Sequence, residues 1–430
     1  MTQATIFALS SGQPPAGVSV IRISGPETRA VISEIAGSLP QPRQASLRTI
    51  RNRNGEMLDQ GLLLYFQAPH SFTGEDCAEL QVHGSRAVVN VVAETLREFG
   101  LRPAEAGEFA RRAFENGRLD LVEVEGLSDL VSAETEMQRK LALQTGMGAL
   151  SAQYSGWADR LTYARAMIEA ELDFADEDDV PASAADLIDA DLAVLMTEMS
   201  TASASAKSSE IIRNGFKVAI IGAPNAGKSS LMNAMAKREV AIVTDIAGTT
   251  RDVLTVELDM EGYLVRLYDT AGIREADDIV EREGIQRAKA AARSADMILY
   301  LKEAGSSSEA FEDYEVPYLE VRTKADLYSN DGSGGVRISS VTGEGLEKVH
   351  QAIVDLARAT WNACSPVSND RHREHIAQAS KFIQNAVDEP RLELKADALR
   401  AAGNELGRIT GRVDVEDLLD VIFSKFCIGK

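Results

Sequence analysis

The sequence predicts a multidomain protein: an α+β N-terminal domain, an all-α helical domain, and an α/β domain inserted into the helical one. Three observations predict it. Short β-like runs broken by turn residues fill the opening part of the 430-residue chain. A long stretch follows with no proline between Pro103 and Pro181 and no glycine between Gly156 and Gly215. Strand and helix signals then alternate before the chain turns helical again. The expected boundaries are residues 1–117, 118–213, 214–358 and 359–430, the second and fourth forming one helical domain.

In the first region the β-like runs are Thr5–Leu9, Val18–Ile23, Leu62–Phe66 and Ala78–Val82, punctuated by Gly12, Pro14, Pro15, Gly25, Pro40, Pro42 and Pro69. In the second, apolar positions such as Leu127, Leu130 and Val131 recur at helical spacing. The acidic cluster Asp176–Asp179 reads as a solvated loop between helices rather than a metal site. In the third, the strand-like runs are Lys217–Ile221, Leu254–Asp259, Tyr263–Tyr268, Met297–Leu301, Tyr318–Arg322 and Val336–Ser339. Glu261 and Gly262 can turn a hairpin between the second and third of these, and helices are expected after Lys228, Glu281 and Leu346. Such alternation argues for a mostly parallel sheet with helices on both faces. In the last region Leu419, Ile422, Phe423 and Phe426 fall on one helical face. Helical texture before and after the α/β region marks it as an insertion, tolerable because domain termini tend to lie close together.

Hydrophobic residues at 44% and charged residues at 26% suit a globular chain able to bury substantial cores. No apolar run approaches the ~18 residues of a membrane span, and Met1–Ser10 carries neither a basic region nor a long apolar stretch, so no secretory signal is expected. Cys77, Cys364 and Cys427 are widely separated and odd in number, which suits reduced thiols in the cytoplasm. With 45 basic against 66 acidic residues the net charge is −21, and the mean field repels phosphate backbones. Any nucleic-acid role therefore calls for a local basic patch or a partner protein.

The run Gly222-Ala-Pro-Asn225-Ala226-Gly227-Lys228-Ser229 fits the Walker-A pattern in full, with an apolar strand before it and a helical run from Ser229 and Ser230 after it. Its glycines let backbone N–H groups turn toward phosphate oxygens, Lys228 neutralises the β- and γ-phosphates, and the Ser229 hydroxyl can ligate Mg²⁺. Asp269-Thr270-Ala271-Gly272 closes a strand downstream, where an aspartate can hold the Mg²⁺ shell and a glycine N–H can sense the γ-phosphate. Thr323-Lys324-Ala325-Asp326 reads the base: the carboxylate accepts from guanine N1–H and N2–H₂, which adenine cannot both supply. Most GTPases have asparagine where Thr323 stands, so weaker nucleotide affinity is expected. Ser339 and Ser340 would supply the last base contacts. Together these motifs make the inserted domain a Ras-like P-loop GTPase.

Ile273 stands where Ras-like proteins place a water-orienting glutamine, so catalysis must come from elsewhere. Asn225, with carbonyls from the loop Thr244-Asp-Ile246-Ala-Gly-Thr249-Thr250-Arg251-Asp252, can form an oxygen cage for a monovalent cation, or it can simply brace the loop; spacing does not choose between them. A cation there would replace an arginine finger, an effect worth ~10³–10⁵ in rate. Glu281 can orient water, although a solvated helix charge is the simpler reading from sequence alone.

These motifs, with Glu281, resemble those of the MnmE (TrmE) family of tRNA-modification GTPases. The resemblance continues through Arg22-Ile-Ser-Gly25, Ser71-Phe-Thr-Gly-Glu-Asp76, Glu79-Leu-Gln81, His83-Gly84, Arg112-Ala-Phe114 and Leu119-Asp-Leu121, and into the terminal Phe426-Cys-Ile-Gly-Lys430. It implies GTP hydrolysis with K⁺ and Mg²⁺, alongside the flavoprotein MnmG (GidA), with FAD on that partner only. The pair would modify C5 of the wobble uridine of certain tRNAs with a folate-derived carbon. The resemblance further implies K⁺ on Asn225, Thr244, Ile246 and Thr249, Mg²⁺ on Ser229 and Thr250, and Glu281 positioning the water. It implies a homodimer formed through the N-terminal domain. It also implies 5-formyltetrahydrofolate or a related folate bound by Arg22, Glu79, Arg118 and Lys430.

Cys427, between Lys425 and Lys430, is either a thiol made reactive by nearby positive charge or a buried inert one. His83 reads as a local hydrogen-bonding residue rather than a catalyst. A different function, a GTP switch in RNA or ribosome assembly, commonly carries a basic RNA-binding module, which this acidic chain lacks; tRNA is expected to be handled mainly through the partner.

Overall fold

The computed structural model describes residues 4–173, 183–204, 206–242, 254–269, 293–305, 316–328, 334–362, 369–413, 419, 422–424, 426 and 429. It divides into two compact units: residues 1–128, 151–158 and 404–430 form one, and residues 129–150 and 159–403 the other.

The first unit opens with β1 (Ile6–Leu9), β2 (Ala16–Ser24), α1 (Thr28–Ile35), β3 (Ser46–Arg51), β4 (Met57–Phe66), β5 (Cys77–Gly84), α2 (Arg86–Glu98), β6 (Arg102–Pro103), α3 (Glu108–Glu115) and α4 (Leu121–Ser132). The strands make one sheet in the order β3-β4-β5-β2-β1-β6. Residues two apart in a strand share a face, and this sheet obeys that closely. Ala78, Leu80 and Val82 of β5 join Ile21 and Ile23 of β2 in a core closed by Val31, Ile32 and Ile35 of α1 and Val92 and Leu96 of α2. Arg22 and Glu79 fall between those positions, on the opposite face. Helix α2 begins where the Ser85 hydroxyl accepts from the Val88 N–H, supplying one partner for the unpaired first turn. Leu419, Ile422, Phe423 and Phe426, the face anticipated from helical spacing, pack on Ala110 of α3 and on Leu121 and Val124 of α4.

The chain continues through α5 (Glu136–Gly146), α6 (Ala149–Asp173), α7 (Ser183–Ala204) and α8 (Ala206–Asn214). Then come β7 (Phe216–Gly222), α9 (Lys228–Arg238), β8 (Val240–Ala241), β9 (Leu254–Met260), β10 (Tyr263–Asp269), β11 (Met297–Glu303), β12 (Tyr318–Thr323), β13 (Val336–Arg337), α10 (Leu346–Asn362), α11 (Asp370–Asp388) and α12 (Leu392–Thr410). The second sheet runs β13-β12-β11-β7-β10-β9-β8. Strands β10, β7, β11, β12 and β13 are parallel neighbours, while β9 pairs antiparallel with β10 and β8 with β9. Val218 and Ile220 of β7 lie in a core with Leu231 and Met235 of α9 and Val349 and Ile353 of α10. Five parallel strands with the Walker-A loop leaving the C-terminal end of β7 make this the expected Ras-like P-loop domain, inserted among helices; ligands bind such sheets at the carboxyl ends of the strands.

Several strand ends depart from expectation, those of β13 and β4 among them. The last strand stops at Arg337 rather than reaching Ser339, because the Ser339 carbonyl and hydroxyl both turn back to accept from the loop that follows. Strand β4 starts at Met57, five residues before the anticipated Leu62.

Candidate functional site: the nucleotide loops and the Arg22 face

The Walker-A loop is shaped by backbone positions few residues can take. A Cβ on Gly222 would stand 2.4 Å from the Leu301 carbonyl oxygen of the neighbouring strand. Asn225 has φ +64 and Gly227 φ +90, left-handed conformations in which glycine is at ease and asparagine tolerable. Asn225 itself is exposed, its amide unburdened by core packing.

Lys228 opens α9 with its side chain buried, and its ammonium donates to the carbonyls of Gly222 at 2.7 Å and Ala223 at 2.8 Å. Burial lowers its pKa, and the nearby Asp269 carboxylate opposes that shift. Ser229 follows, its hydroxyl donating to Asp269 Oδ2 at 2.9 Å. Asp269 is 2% exposed at the end of β10, in register with Ile220 of β7. Strand pairing thus brings the two acidic and basic motifs, 40 residues apart, onto one edge. A hydroxyl and a carboxylate oxygen side by side, next to a buried ammonium, are hard donors of the kind Mg²⁺ takes.

At the end of β12, Thr323 is buried and its hydroxyl donates to the Ala226 carbonyl at 2.8 Å and more weakly to that of Lys302 at 3.3 Å. Lys324 takes φ +58. The Ala325 N–H donates to the Ile338 carbonyl, fastening this loop to the next strand, and Asp326 is left exposed. Ser339 is fully buried, its hydroxyl accepting from the N–H groups of Val341 and Thr342, while Ser340 is half-buried. Ser339 therefore builds its loop with its side chain.

Two residues beside this loop escaped the sequence reading. Lys324 donates to Glu303 Oε2 and the Tyr328 hydroxyl to Glu303 Oε1, each at 2.8 Å. Those two bonds hold the Glu303 carboxyl below its usual range. Glu303 pairs in register with Thr323 across β11 and β12; its place at the end of the strand before the base-reading motif was the available signal. Thr244, Ile246, Thr249, Thr250, Thr270, Ala271, Gly272, Glu281, Cys427 and Lys430 lie outside the described residues, as does the Asp176–Asp179 cluster.

The first unit holds a second polar cluster. Arg22 donates to Glu79 Oε1 from Nη2 at 3.0 Å and from Nε at 3.1 Å. Its guanidinium carbon lies 5.1 Å from the centre of the Phe72 ring and 5.8 Å from that of Phe109, within cation–π range. One residue pair further along β2, the Ser24 hydroxyl meets Thr73 at 2.7 Å and Glu75 Oε2 at 2.6 Å. Glu75 is in turn held by the buried Arg112, at 3.1 Å. Arg118 is exposed and packs against the same loop, where a Cβ on Gly74 would sit 3.1 Å from its Cγ. Cys77 is buried, within 3.1 Å of the Thr73 hydroxyl. His83 is exposed and bonds Asp59 through Nδ1 at 2.8 Å, the local role expected of it.

Comparison with known proteins bears on both clusters. A family model described as the MnmE helical domain matches residues 121–427, and one described as GTP-binding protein TrmE N-terminus matches residues 5–118. The chain is 56% identical over 436 residues to the tRNA modification GTPase MnmE of Rhizobium meliloti, covering 99% of each chain. It is 54% identical over 438 residues to that of Rhizobium johnstonii, covering 100% of each. It is 55% identical over 437 residues to that of Sinorhizobium medicae, covering 99% of each. The chain belongs to the MnmE (TrmE) family of tRNA modification GTPases. In this MnmE-family chain the Arg22–Glu79 pair and Arg118 fall within the stretch matched as TrmE N-terminus, and the Walker-A loop within the stretch matched as the MnmE helical domain.

Proposed function

We propose that this chain hydrolyses GTP with Mg²⁺ and K⁺ and, with the flavoprotein MnmG, modifies C5 of the wobble uridine of certain tRNAs using a folate one-carbon unit. The observation that carries the reading is the convergence of Lys228, Ser229 and Asp269 at the ends of two parallel strands, in a chain related over its full length to tRNA modification GTPases.

The roles follow from the chemistry of each group. Lys228, now donating to two loop carbonyls, re-aims its ammonium at the β- and γ-phosphate oxygens. Ser229, with Thr250, supplies the hydroxyl ligands of Mg²⁺, and Asp269 holds that shell through hydrogen bonds. When bound, Mg²⁺ would neutralise the charge that develops on the phosphates. Asn225 offers a neutral amide oxygen, the donor type a hard monovalent cation takes, and shares K⁺ with Thr244, Ile246 and Thr249. Glu281 positions the attacking water, since Ile273 has no polar group to do so. Asp326 accepts from both donors of the guanine edge.

In the N-terminal unit, Glu79 pairs with the amino-pyrimidine edge of the folate, and Arg22, Arg118 and Lys430 hold its carboxylates. Paired charges of this type give short, strong hydrogen bonds. The protein works as a cytoplasmic homodimer, and with a net charge of −21 it leaves most tRNA contact to MnmG.

The deciding experiment is steady-state GTP hydrolysis in KCl against NaCl at matched ionic strength, with ATP as control. Strong K⁺ stimulation with ATP inert is expected. Equal rates in the two salts would remove the cation role of Asn225 and leave a slow nucleotide switch.

A further inference from the structure

Position 323 holds threonine where asparagine is usual, and the geometry around it assigns the hydroxyl a partner. Thr323 Oγ1 donates to the Ala226 carbonyl, 97 residues away in sequence, over 2.8 Å in a fully buried setting. Ala226 is the Walker-A residue between Asn225 and Gly227, and its own side chain is 4% exposed. Beneath the same loop, a Cβ placed on Gly227 would lie 3.6 Å from Thr323 Cβ, so the threonine side chain also fills the space under that glycine. The base-reading loop is thereby fastened to the phosphate loop by one short bond and one packing contact.

A hydroxyl has a single proton to donate. Here it points to the Ala226 carbonyl, with the Lys302 carbonyl at 3.3 Å as a second, weaker acceptor. Nothing remains for an acceptor on the base. An asparagine amide has two protons, enough to hold a loop carbonyl and also to donate to a purine ring nitrogen such as N7.

We propose that Thr323 is a positioning residue that ties the guanine-reading loop to the Walker-A backbone and leaves the purine N7 without a donor from this strand end. Recognition of guanine then falls to Asp326 and the Ser339–Ser340 loop, while Thr323 fixes how far the base site stands from the phosphate site. The proposal rests on the reading of this domain as a guanine-nucleotide site.

The test compares full-length wild type with T323V, T323S and T323N in equilibrium competition against a fluorescent guanine diphosphate, using GDP, 7-deaza-GDP and ADP with Mg²⁺. Valine keeps the shape of threonine and removes the hydroxyl, which leaves a buried carbonyl unpaired. GDP affinity should fall roughly 5- to 50-fold, with GDP still preferred over ADP, and serine should restore most of it. Wild type should bind 7-deaza-GDP within about twofold of GDP. T323N should gain a preference for GDP over 7-deaza-GDP of roughly 3- to 10-fold, the factor of one neutral hydrogen bond. That ratio is independent of how well each variant folds, because both ligands report on the same folded protein.

A wild type that rejects 7-deaza-GDP by tenfold or more overturns the unread N7, and T323V binding GDP as tightly as wild type overturns the tether. Wild type binding ADP as well as GDP, or neither, overturns the guanine-site reading itself, a result distinct from both.

Discussion

Arg22 on β2 and Glu79 on β5 stand directly opposite each other in an antiparallel register, and both guanidinium bonds converge on one carboxylate oxygen, Oε1, at 3.0 and 3.1 Å. Cross-strand pairing holds the two charges ready without a ligand. If Glu79 accepts from a pterin edge, its charge is what the ligand reads. Glu79→Gln keeps the shape and removes the charge, so calorimetric titration with 5-formyltetrahydrofolate should show affinity reduced by roughly 10- to 100-fold, the factor for a hydrogen bond to a charged group. An unchanged dissociation constant would remove Glu79 from the folate site.

Gly429 reports on the end of the chain. It has φ +103, and a Cβ there would lie 2.2 Å from the Leu9 carbonyl oxygen; the Ser10 hydroxyl donates to the Gly429 carbonyl at 2.8 Å. Gly429→Ala has no room there, so position 429 must move away from the Leu9 carbonyl. Since Lys430 is proposed to hold the folate, G429A should weaken 5-formyltetrahydrofolate binding several-fold, and because position 429 is buried with a left-handed backbone it should also cost more than about 1 kcal/mol of stability. Full folate affinity in G429A would detach the C-terminal lysine from that site.

Much of the GTPase domain was legible because its strands are bounded by motifs that carry their own signals. The runs around Val218, Leu254, Tyr263, Met297 and Tyr318 all fall on strands, and the Glu261–Gly262 turn joins β9 to β10. Strands β3, β6 and β8 went unread. In β3 the polar Ser46 and Arg48 share the parity of the buried Ile50 while Leu47 is exposed, and β6 and β8 span two residues each, so none shows the alternation that marks a strand. The contacts that make the sites lie deeper still. Arg22 and Glu79 are 57 residues apart, and Thr323 and Ala226 97; only sheet register and loop closure join them, and neither is written in local periodicity. The sequence shows that Thr323 offers the base fewer hydrogen bonds than asparagine, but not that its hydroxyl donates to the Ala226 carbonyl of the phosphate loop.

Asp120 makes stability depend on pH. Its Oδ1 accepts from the Glu123 N–H at the start of α4, and Glu123 Oε2 accepts from the Asp120 N–H, each at 2.9 Å, a reciprocal cap. Ser151 donates to its other oxygen. Burial, reinforced by the Glu123 charge and opposed by backbone N–H bonds and Arg412, raises its pKa from 3.8 to about 6. The folded state therefore holds this proton more tightly than the unfolded one, and stability falls as pH rises from about 4 through about 6. Asp120→Asn keeps the capping oxygen and never ionises. Thermal melts should show D120N gaining on wild type as pH climbs from 4 to 8, with the gap closing at the acid end. A gap independent of pH would mean that the carboxyl is not protonated near pH 5.

The hairpin turn at Glu261 and Gly262 offers a pair of substitutions with opposite signs. Met260 pairs with Tyr263, and the two residues between have φ +52 and φ +88, the geometry of a two-residue type I′ turn, which favours asparagine then glycine. The Gly262 carbonyl also accepts from the Met137 N–H at 3.0 Å, and a Cβ on Gly262 would lie 3.3 Å from Glu136 Cβ. Gly262→Ala meets both an unfavourable backbone and a close neighbour, and should cost about 1–2 kcal/mol in urea melts. Glu261→Asn relieves the left-handed strain at the first position and should stabilise by about 0.5 kcal/mol. It gives up the Glu261–Arg358 ion pair at 2.9 Å, but both side chains are nearly half exposed, and such pairs contribute about 0–1 kcal/mol. The sign of the E261N change thus weighs backbone against ion pair: a gain means that turn conformation governs this position, and a loss means that Arg358 does.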